Sequence, residues 1–327
     1  MKYALILFKP VMAIALLNGL WFTSLWLNIP AQAEDYDSLR RLRDSRDCRG
    51  CDLYSADLEG IYLRNASLDR ADLRKANLKN ADLQGAFLLN ADLTDANLQN
   101  ADLRYADLRG ANLRGAKLDG AIINKTTLLD PKWLLVSQLA NRSVRETNLA
   151  QIDLQQGNLN GIDLRKFNLE GANLARANLI RTNLRKMNLQ SANLEKANLS
   201  IADLQEANLS FTNLERANLD GANLARANLS RANMREVNLQ NANLKGATLS
   251  GSDLRDANLN NLDLSNADLR NVNLTGANIG AVRIDGADLR GANLNGARFE
   301  RLDLGAIEEI DVKLCGAILP NGREYVC

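Results

Sequence analysis

Leucine recurs at every fifth residue through most of this chain, and that period decides what the chain can fold into. Written around the Leu, the unit is Ala-(Asp/Asn)-Leu-x-x, as in Ala56-Asp57-Leu58, Ala71-Asp72-Leu73, Ala76-Asn77-Leu78, Ala172-Asn173-Leu174, Ala197-Asn198-Leu199 and Ala292-Asn293-Leu294. It runs from Leu53 to Leu128 and again from Leu149 to Leu304, about 16 and about 32 units. In a helix each residue turns by about 100°, so a Leu at every fifth position would wander round the whole surface instead of forming a stripe. In an extended segment side chains alternate, and the Leu shares a face with the Ala two residues before it. The unit is therefore an extended step followed by a corner, although Ala, Leu, Arg and Lys individually favour helix. One unit buries a large and a small side chain, about 2–3 kcal/mol, against about 1.5 kcal/mol of ordering entropy for each residue, so units fold only by stacking. Twenty-one residues separate Leu128 from Leu149, which predicts a one-residue slip of register across the gap.

These consecutive units resemble the pentapeptide-repeat family, and the whole chain is similar to its exported cyanobacterial members. The resemblance implies an all-β fold, a right-handed quadrilateral β-helix solenoid with four repeats in each coil. At 20 residues per coil and about 4.8 Å between strands, residues 53–304 would make about 12 to 13 coils and a rod about 60 Å long.

Outside the repeats the sequence divides as follows. Residues 1–33 read as an export signal: Lys2 and Lys9, an apolar run from Val11 to Leu27, then Ala31-Gln32-Ala33 as a cleavage site. An uncleaved anchor is the alternative, and either way the remaining chain lies outside the cytoplasm, in the periplasm or thylakoid lumen. Residues 34–50 form an N-terminal helical cap, with a short helix from Tyr36 to Asp47 that sets Leu39 and Leu42 over the first coil. Repeat block 1 spans 51–128 and block 2 spans 147–304. Between them, residues 129–146 form a helical interruption in which Asp130 is the N-cap, Pro131 opens the first turn, and Trp133, Val136 and Ala140 pack on the solenoid. Residues 305–327 close the far end.

Residues one before Leu should face solvent in columns twenty apart. Asn158, Asn178, Asn198, Asn218, Asn238, Asn258 and Asn278 form one column, and Asn148, Asn168, Asn188, Asn208 and Asn228 begin another; stacked amides of this kind can make hydrogen-bonded ladders. Asp52, Asp72 and Asp92 stack three carboxylates, which need nearby Arg or a bound cation such as calcium. Residues 101–200 carry 15 basic and 9 acidic side chains, whereas 251–327 carry 8 and 12. Arg165 and Lys166 should stack beside Arg185 and Lys186, with Arg176 and Arg181 close by. With Lys132 and Trp133 on the interruption, these are the candidate docking residues for an acidic protein partner or, peripherally, an anionic lipid surface. Tyr54, Tyr62, Phe87 and Tyr105 are expected to face outward.

Four cysteines, Cys48, Cys51, Cys315 and Cys327, allow three pairings. In a straight rod the two ends are too far apart to be bridged, which leaves Cys48 with Cys51 and Cys315 with Cys327 within one chain. Both are plausible in an exported protein, as structural bridges or idle thiols. Thiol redox and metal binding at Cys48-Arg49-Gly50-Cys51 are the alternatives, although the βαβ setting of thioredoxin-like use is absent. The chain has no histidine, which removes His general bases, His-activated nucleophiles and His-ligated metals. Lys+Arg 40 against Asp+Glu 39 leaves no global field to steer nucleic acid. The gyrase-inhibiting members of the family resemble duplex DNA; an export signal and a near-neutral, Arg-bearing surface separate this chain from them. The expected role is a non-catalytic, exported scaffold or protein-interaction solenoid without a cofactor, with a thiol-redox or cation-binding role as the alternative.

Overall fold

The computed structural model describes residues 32–280 and 282–299. The segment read as an export signal, apart from its last two residues, and the C-terminal cap with Cys315 and Cys327 lie outside the described residues. Helix α1 spans Gln32–Ser45, and coils begin two residues later, where Asp47 pairs with Ser67. Helix α2 spans Pro131–Ala140, and coils resume at Asn148. They run to the parallel pair β1 (Asn278–Ile279) and β2 (Arg298–Phe299). Elsewhere the extended step is so short that one residue per unit pairs with the next coil. The pairings are parallel and twenty residues apart, so Asp47, Asp52, Asp57 and Tyr62 meet Ser67, Asp72, Asn77 and Asp82. One circuit thus has four pairing positions separated by four corners.

The corners are β-turns. In the unit around Leu214, the Leu214 carbonyl accepts from Ala217 N–H at 2.9 Å, and the third turn residue, Arg216, has φ 57°, the left-handed value of a type II turn. Most left-handed corner residues are Gly, Asn or long polar side chains. Ile201 is a β-branched exception, held at φ 59° on an exposed corner where its Cβ is crowded by the backbone.

In the unit around Leu214 every backbone N–H has a partner. Asn213 N–H reaches back to Ala192 O at 3.0 Å, Leu214 N–H goes forward to Asn233 O at 2.7 Å, and Arg216 N–H goes to Arg235 O at 2.9 Å. Ala217 closes the turn. The fifth, Glu215 N–H at the top of the turn, faces no backbone acceptor and is taken by Asn213 Oδ1 at 3.2 Å. An Asn or Asp side chain has the length for this bond to the residue two ahead, which explains why it precedes Leu so regularly. Asn adds a donor: Asn213 Nδ2 donates to Asn193 Oδ1 at 3.2 Å and Asn233 Nδ2 donates to Asn213 Oδ1 at 3.0 Å. The amide columns are therefore ladders, half-buried where full solvent exposure was expected. Inside, Leu and Ala form the core: Leu214 is 0% and Ala217 1% exposed.

At the N-terminal end the first coil starts at Asp47, earlier than the expected 51. Cys48 stands where Leu belongs and Cys51 where Ala belongs, and the two are joined as a disulfide within the core under the buried Leu42. Sequence spacing hides these positions because neither residue is Leu or Ala.

The interruption starts as expected, with the Asp130 carboxylate accepting Lys132 N–H at 2.8 Å ahead of Pro131. Trp133, Val136 and Leu139 are buried, and Ala140 packs against them. The helix takes the place of part of a coil wall. Block 2 touches block 1 directly where Gly115 N–H donates to Gln156 O at 3.0 Å. Asn141 locks the helix end to block 1: its Oδ1 accepts Gly120 N–H at 2.6 Å, and its Nδ2 lies 3.4 Å from the carbonyls of both Leu118 and Ala121. The register slip falls inside block 1 and not across the gap. Asp107 pairs with Leu128, twenty-one residues on, because the Asn124–Thr127 turn holds an extra residue. Leu128 is consequently exposed, Leu129 packs on the core, and Leu149 follows twenty residues after Leu129.

Replacing Asn213 by Ala strands the Glu215 N–H and breaks the ladder on both sides; urea titration should show a loss of about 1–3 kcal/mol, whereas Asn213→Asp, which keeps the acceptor, should cost less. Ile201→Gly removes the left-handed strain and should raise unfolding free energy by about 0.5–1 kcal/mol, net of the extra freedom of Gly in the unfolded chain.

Candidate interaction surface

The surface is organised by a two-residue rule. Wherever a unit reads Asp-Leu-Arg, the Arg folds back on the Asp, whose Oδ1 already accepts the Arg backbone N–H. Arg104 Nε and Nη2 donate to Asp102 at 2.9 and 2.6 Å. The same fork closes at Asp72–Arg74, Asp107–Arg109, Asp163–Arg165, Asp253–Arg255, Asp268–Arg270 and Asp288–Arg290. These side-chain bonds from Arg hold the carboxyls of Asp72, Asp102, Asp107, Asp163, Asp253 and Asp268 below the usual carboxylate range.

The rule corrects the reading of the basic columns. Arg165 is no free cation, since it forks Asp163. Arg185 follows Asn183, has no carboxylate two residues back, and reaches Glu206 at 3.6 Å, where Lys186 joins it at 3.5 Å. The expected like-charge stack is therefore interleaved with acids. Lys132 pairs with Asp153 at 3.4 Å and lies 4.6 Å above the Trp133 ring. Trp133 itself is 6% exposed and belongs to the core, which removes it as a docking residue. Arg176 and Arg181 occupy left-handed corners at φ 57° and 55°; Arg176 lines a cleft of about 280 Å³ with Asp95, Arg114 and Gln156 at the junction of the blocks.

The Asp52, Asp72 and Asp92 column is also corrected. Arg74 forks Asp72 and its Nε lies 4.0 Å from Asp92, while Asp92 accepts the Thr94 hydroxyl at 2.6 Å. Arg74 thus stands between two of the three carboxylates as the counter-charge. Among the described residues no group of three or more Asp, Glu, Cys or His is placed to hold a metal ion. Cys48 and Cys51 are almost wholly buried as a disulfide.

One residue that matters here, Arg142, was not singled out from the sequence. Arg142, just past α2, and Lys166 lie on two clefts of about 410 Å³ each. One is lined by Leu139, Arg142, Asp163, Arg165, Lys166 and Phe167, and the other by residues that include Arg165, Lys166 and Lys186. Lys166, named from its column, proves to be the ridge between them, with its ammonium 5.0 Å above the Phe167 ring and 3.4 Å from Val144 O. The available signal for Arg142 was its place in the interruption, two residues past Ala140, where α2 ends. Tyr54, Tyr62, Phe87 and Tyr105 are exposed. Two of these rings are covered by cations: Arg46 and Arg64 lie 5.0 and 5.5 Å from Tyr62, and Arg74 and Lys75 lie 5.4 and 5.6 Å from Tyr54. Chemically, this arrangement presents fixed charges and stacked rings on a rigid wall.

Because the forked carboxyls titrate lower in the folded chain than in the unfolded one, their stabilisation is present above the unfolded value of about 4 and is lost as pH falls through the folded values. Melting temperature should be flat from pH 7 to about 5 and drop below about pH 4. Arg104→Gln should melt below the wild type at pH 7, and the gap should narrow as pH falls below about 4, read by circular dichroism.

Among the described residues no helix is long and apolar enough to cross a membrane. Comparison with curated proteins gives no match. Solved structures similar to this chain include HetL, a pentapeptide repeat protein involved in heterocyst differentiation regulation from the cyanobacterium Nostoc sp. strain PCC 7120. It is 28% identical over 88% of this chain and 97% of its own, with a TM-score of 0.25. A pentapeptide repeat protein of the Arabidopsis thaliana thylakoid lumen is 25% identical over 37% of this chain and 79% of its own, with a TM-score of 0.23. QnrB1, a plasmid-mediated fluoroquinolone resistance protein, is 17% identical over 74% of this chain and 91% of its own, with a TM-score of 0.29. The family model for pentapeptide repeats matches residues 47–85, 91–128, 147–185, 168–200, 202–241, 238–276 and 273–305. Matched over most of its length and built from stacked five-residue units, the chain belongs to the pentapeptide-repeat family.

Proposed function

We propose that this chain is an exported, non-catalytic interaction solenoid, a right-handed quadrilateral β-helix that presents a fixed surface to a protein partner. Four pairing positions per circuit support the four-sided form. Export rests on the charged start, apolar run and Ala-x-Ala site of residues 1–33, and a buried disulfide suits an oxidising compartment such as the periplasm or thylakoid lumen.

One observation carries the interaction reading. Along the coils, polar side chains are consumed by the turns, ladders and forks, so they act as structure and leave little for chemistry. Around α2 and the first coils of block 2 that economy breaks down. Arg142, Arg165, Lys166 and Lys186 line two clefts there, whose one acid is Asp163. This is the face best suited to an acidic protein surface, where charge complementarity sets orientation and on-rate. Burial of Cys48 and Cys51 speaks for a locking role over thiol exchange, and Arg74 takes the place that a cation would fill on the Asp column.

Lysine-directed cross-linking of the tagged protein in its native envelope or lumen fraction, followed by mass spectrometry, tests this. One recurring partner linked through Lys132, Lys166 or Lys186 is the expected result. Recovery of the protein alone, or links spread evenly over all its lysines, would sink the reading.

A further inference from the structure

We propose that the cleft between the C-terminal end of α2 and the adjoining coil of block 2 is a binding site for a phosphate oxyanion, held by Arg142, Lys166 and Arg165. The inference is independent of which protein docks on the solenoid.

The first observation is the way α2 ends. Arg142 N–H donates to Leu139 O at 3.1 Å and Ser143 N–H to Gln138 O at 2.9 Å, the paired bonds of a Schellman motif. The residue that turns the chain there is Arg142, at φ 54°. Gly is the residue that fits this position without steric cost, so the turn itself gives no reason for a long cationic side chain. Helix α1 ends similarly, with Arg46 at φ 56°, but the Arg46 guanidinium is engaged over the Tyr62 ring. Arg142 is exposed, and its guanidinium forms no hydrogen bond or ion pair among the described residues, its charge being felt only at Asp163 across the cleft.

The second observation is what shares the cleft with it. Its volume is about 410 Å³, ample for a phosphate group, and it collects three cations from two segments: Arg142 at the end of α2, and the neighbouring residues Arg165 and Lys166 of one turn of block 2. The one acid, Asp163, is already covered by the Arg165 fork at 2.9 and 2.7 Å. That fork uses Nε and Nη2, and a guanidinium has five N–H donors, so Arg165 retains others for a ligand. Lys166 has its ammonium engaged by the Phe167 ring and Val144 O and keeps donor capacity as well.

The third step identifies the ligand class. A planar carboxylate presents both oxygens in one plane, and a single guanidinium fork engages both, as at Asp163. Three cationic groups approaching from two segments suit an anion with several oxygens pointing in different directions, and charge-assisted bonds to phosphate are the strong kind. The group could be free, on a phosphate ester, or on a phospholipid head.

The test uses the full mature chain and inorganic phosphate as the probe, titrated against matched sodium chloride and followed by NMR of the Arg and Lys side chains. Saturable shifts at Arg142 and Lys166 are expected. Arg142→Gly should bind phosphate at least about tenfold more weakly while melting no lower than the wild type, because Gly suits the turn. Lys166→Gln should also weaken binding and carries the test if Arg142→Gly fails to fold. In a second arm, sedimentation with phosphatidylcholine vesicles that contain or lack phosphatidylglycerol separates the sources. Phosphate binding without vesicle binding assigns a free phosphate or ester; vesicle binding abolished by Arg142→Gly assigns a lipid headgroup; either supports the site. Phosphate that gives only unsaturable, salt-like shifts and vesicles that stay unbound would overturn it, as would an Arg142→Gly chain that binds as tightly as the wild type.

Discussion

Each unit of this solenoid leaves one backbone N–H with no backbone acceptor, at the crown of its turn, and the rest of the structure depends on how that group is satisfied. The other four N–H groups find carbonyls in the same turn or in neighbouring coils. The fifth needs an oxygen on a short side chain two residues back, and Asp and Asn supply it at the right reach. Once that oxygen is fixed, the remaining options of the side chain decide what the coil surface looks like. Asn turns its spare N–H₂ to the coil below and extends a ladder, as Asn213 does toward Asn193. Asp has no donor to offer, so its charge must be met from elsewhere, by an Asn above it or by the Arg two residues on.

How much of this was legible follows from which signals repeat. The five-residue period, the Leu and Ala interior, the Asp130-Pro131 helix start and the outward Tyr54, Tyr62, Phe87 and Tyr105 could all be read directly, because each rests on local alternation or capping. The first coil was hidden because Cys48 and Cys51 replace Leu and Ala. The slip was misplaced because Leu128 looks like a central Leu, yet the extra residue in the Asn124–Thr127 turn moves that role to Leu129. Trp133 was read both as packing on the solenoid and as a docking residue; its burial beside Val136 and Leu139 keeps the first reading and removes the second. Charges were read as columns twenty residues apart. The dominant electrostatic relation proved to be two residues long, and the alternation that places Leu and Ala together also brings Asp and Arg to the same side.

That short relation changes the meaning of the composition. A chain with nearly equal acids and bases could have carried separated patches of each sign; here the acids and bases of the Asp-Leu-Arg units cancel within a unit. Charge becomes informative only where a unit departs from the rule: Arg185 after Asn183, Lys166 and Lys186 at corners, and Arg142 off the repeat altogether. Of these, Arg142 and Lys166 lie on the cleft between α2 and the adjoining coil of block 2.

The junction beside α2 has a consequence for how the rod holds together. Adjacent coils are ordinarily tied by backbone bonds on all four sides, so that loosening one loosens its neighbours. Among the described residues, the two blocks share one backbone-to-backbone hydrogen bond, Gly115 to Gln156, with Asn158, Asn141 and Lys132 adding side-chain ties. Nearest-neighbour coupling is thus weakest there. The core runs through both blocks and the helix, but at this seam the backbone coupling thins to a single bond, with Asn141 acting as the clasp. A partner that engages α2 would grip the seam itself and set how stiffly one half follows the other.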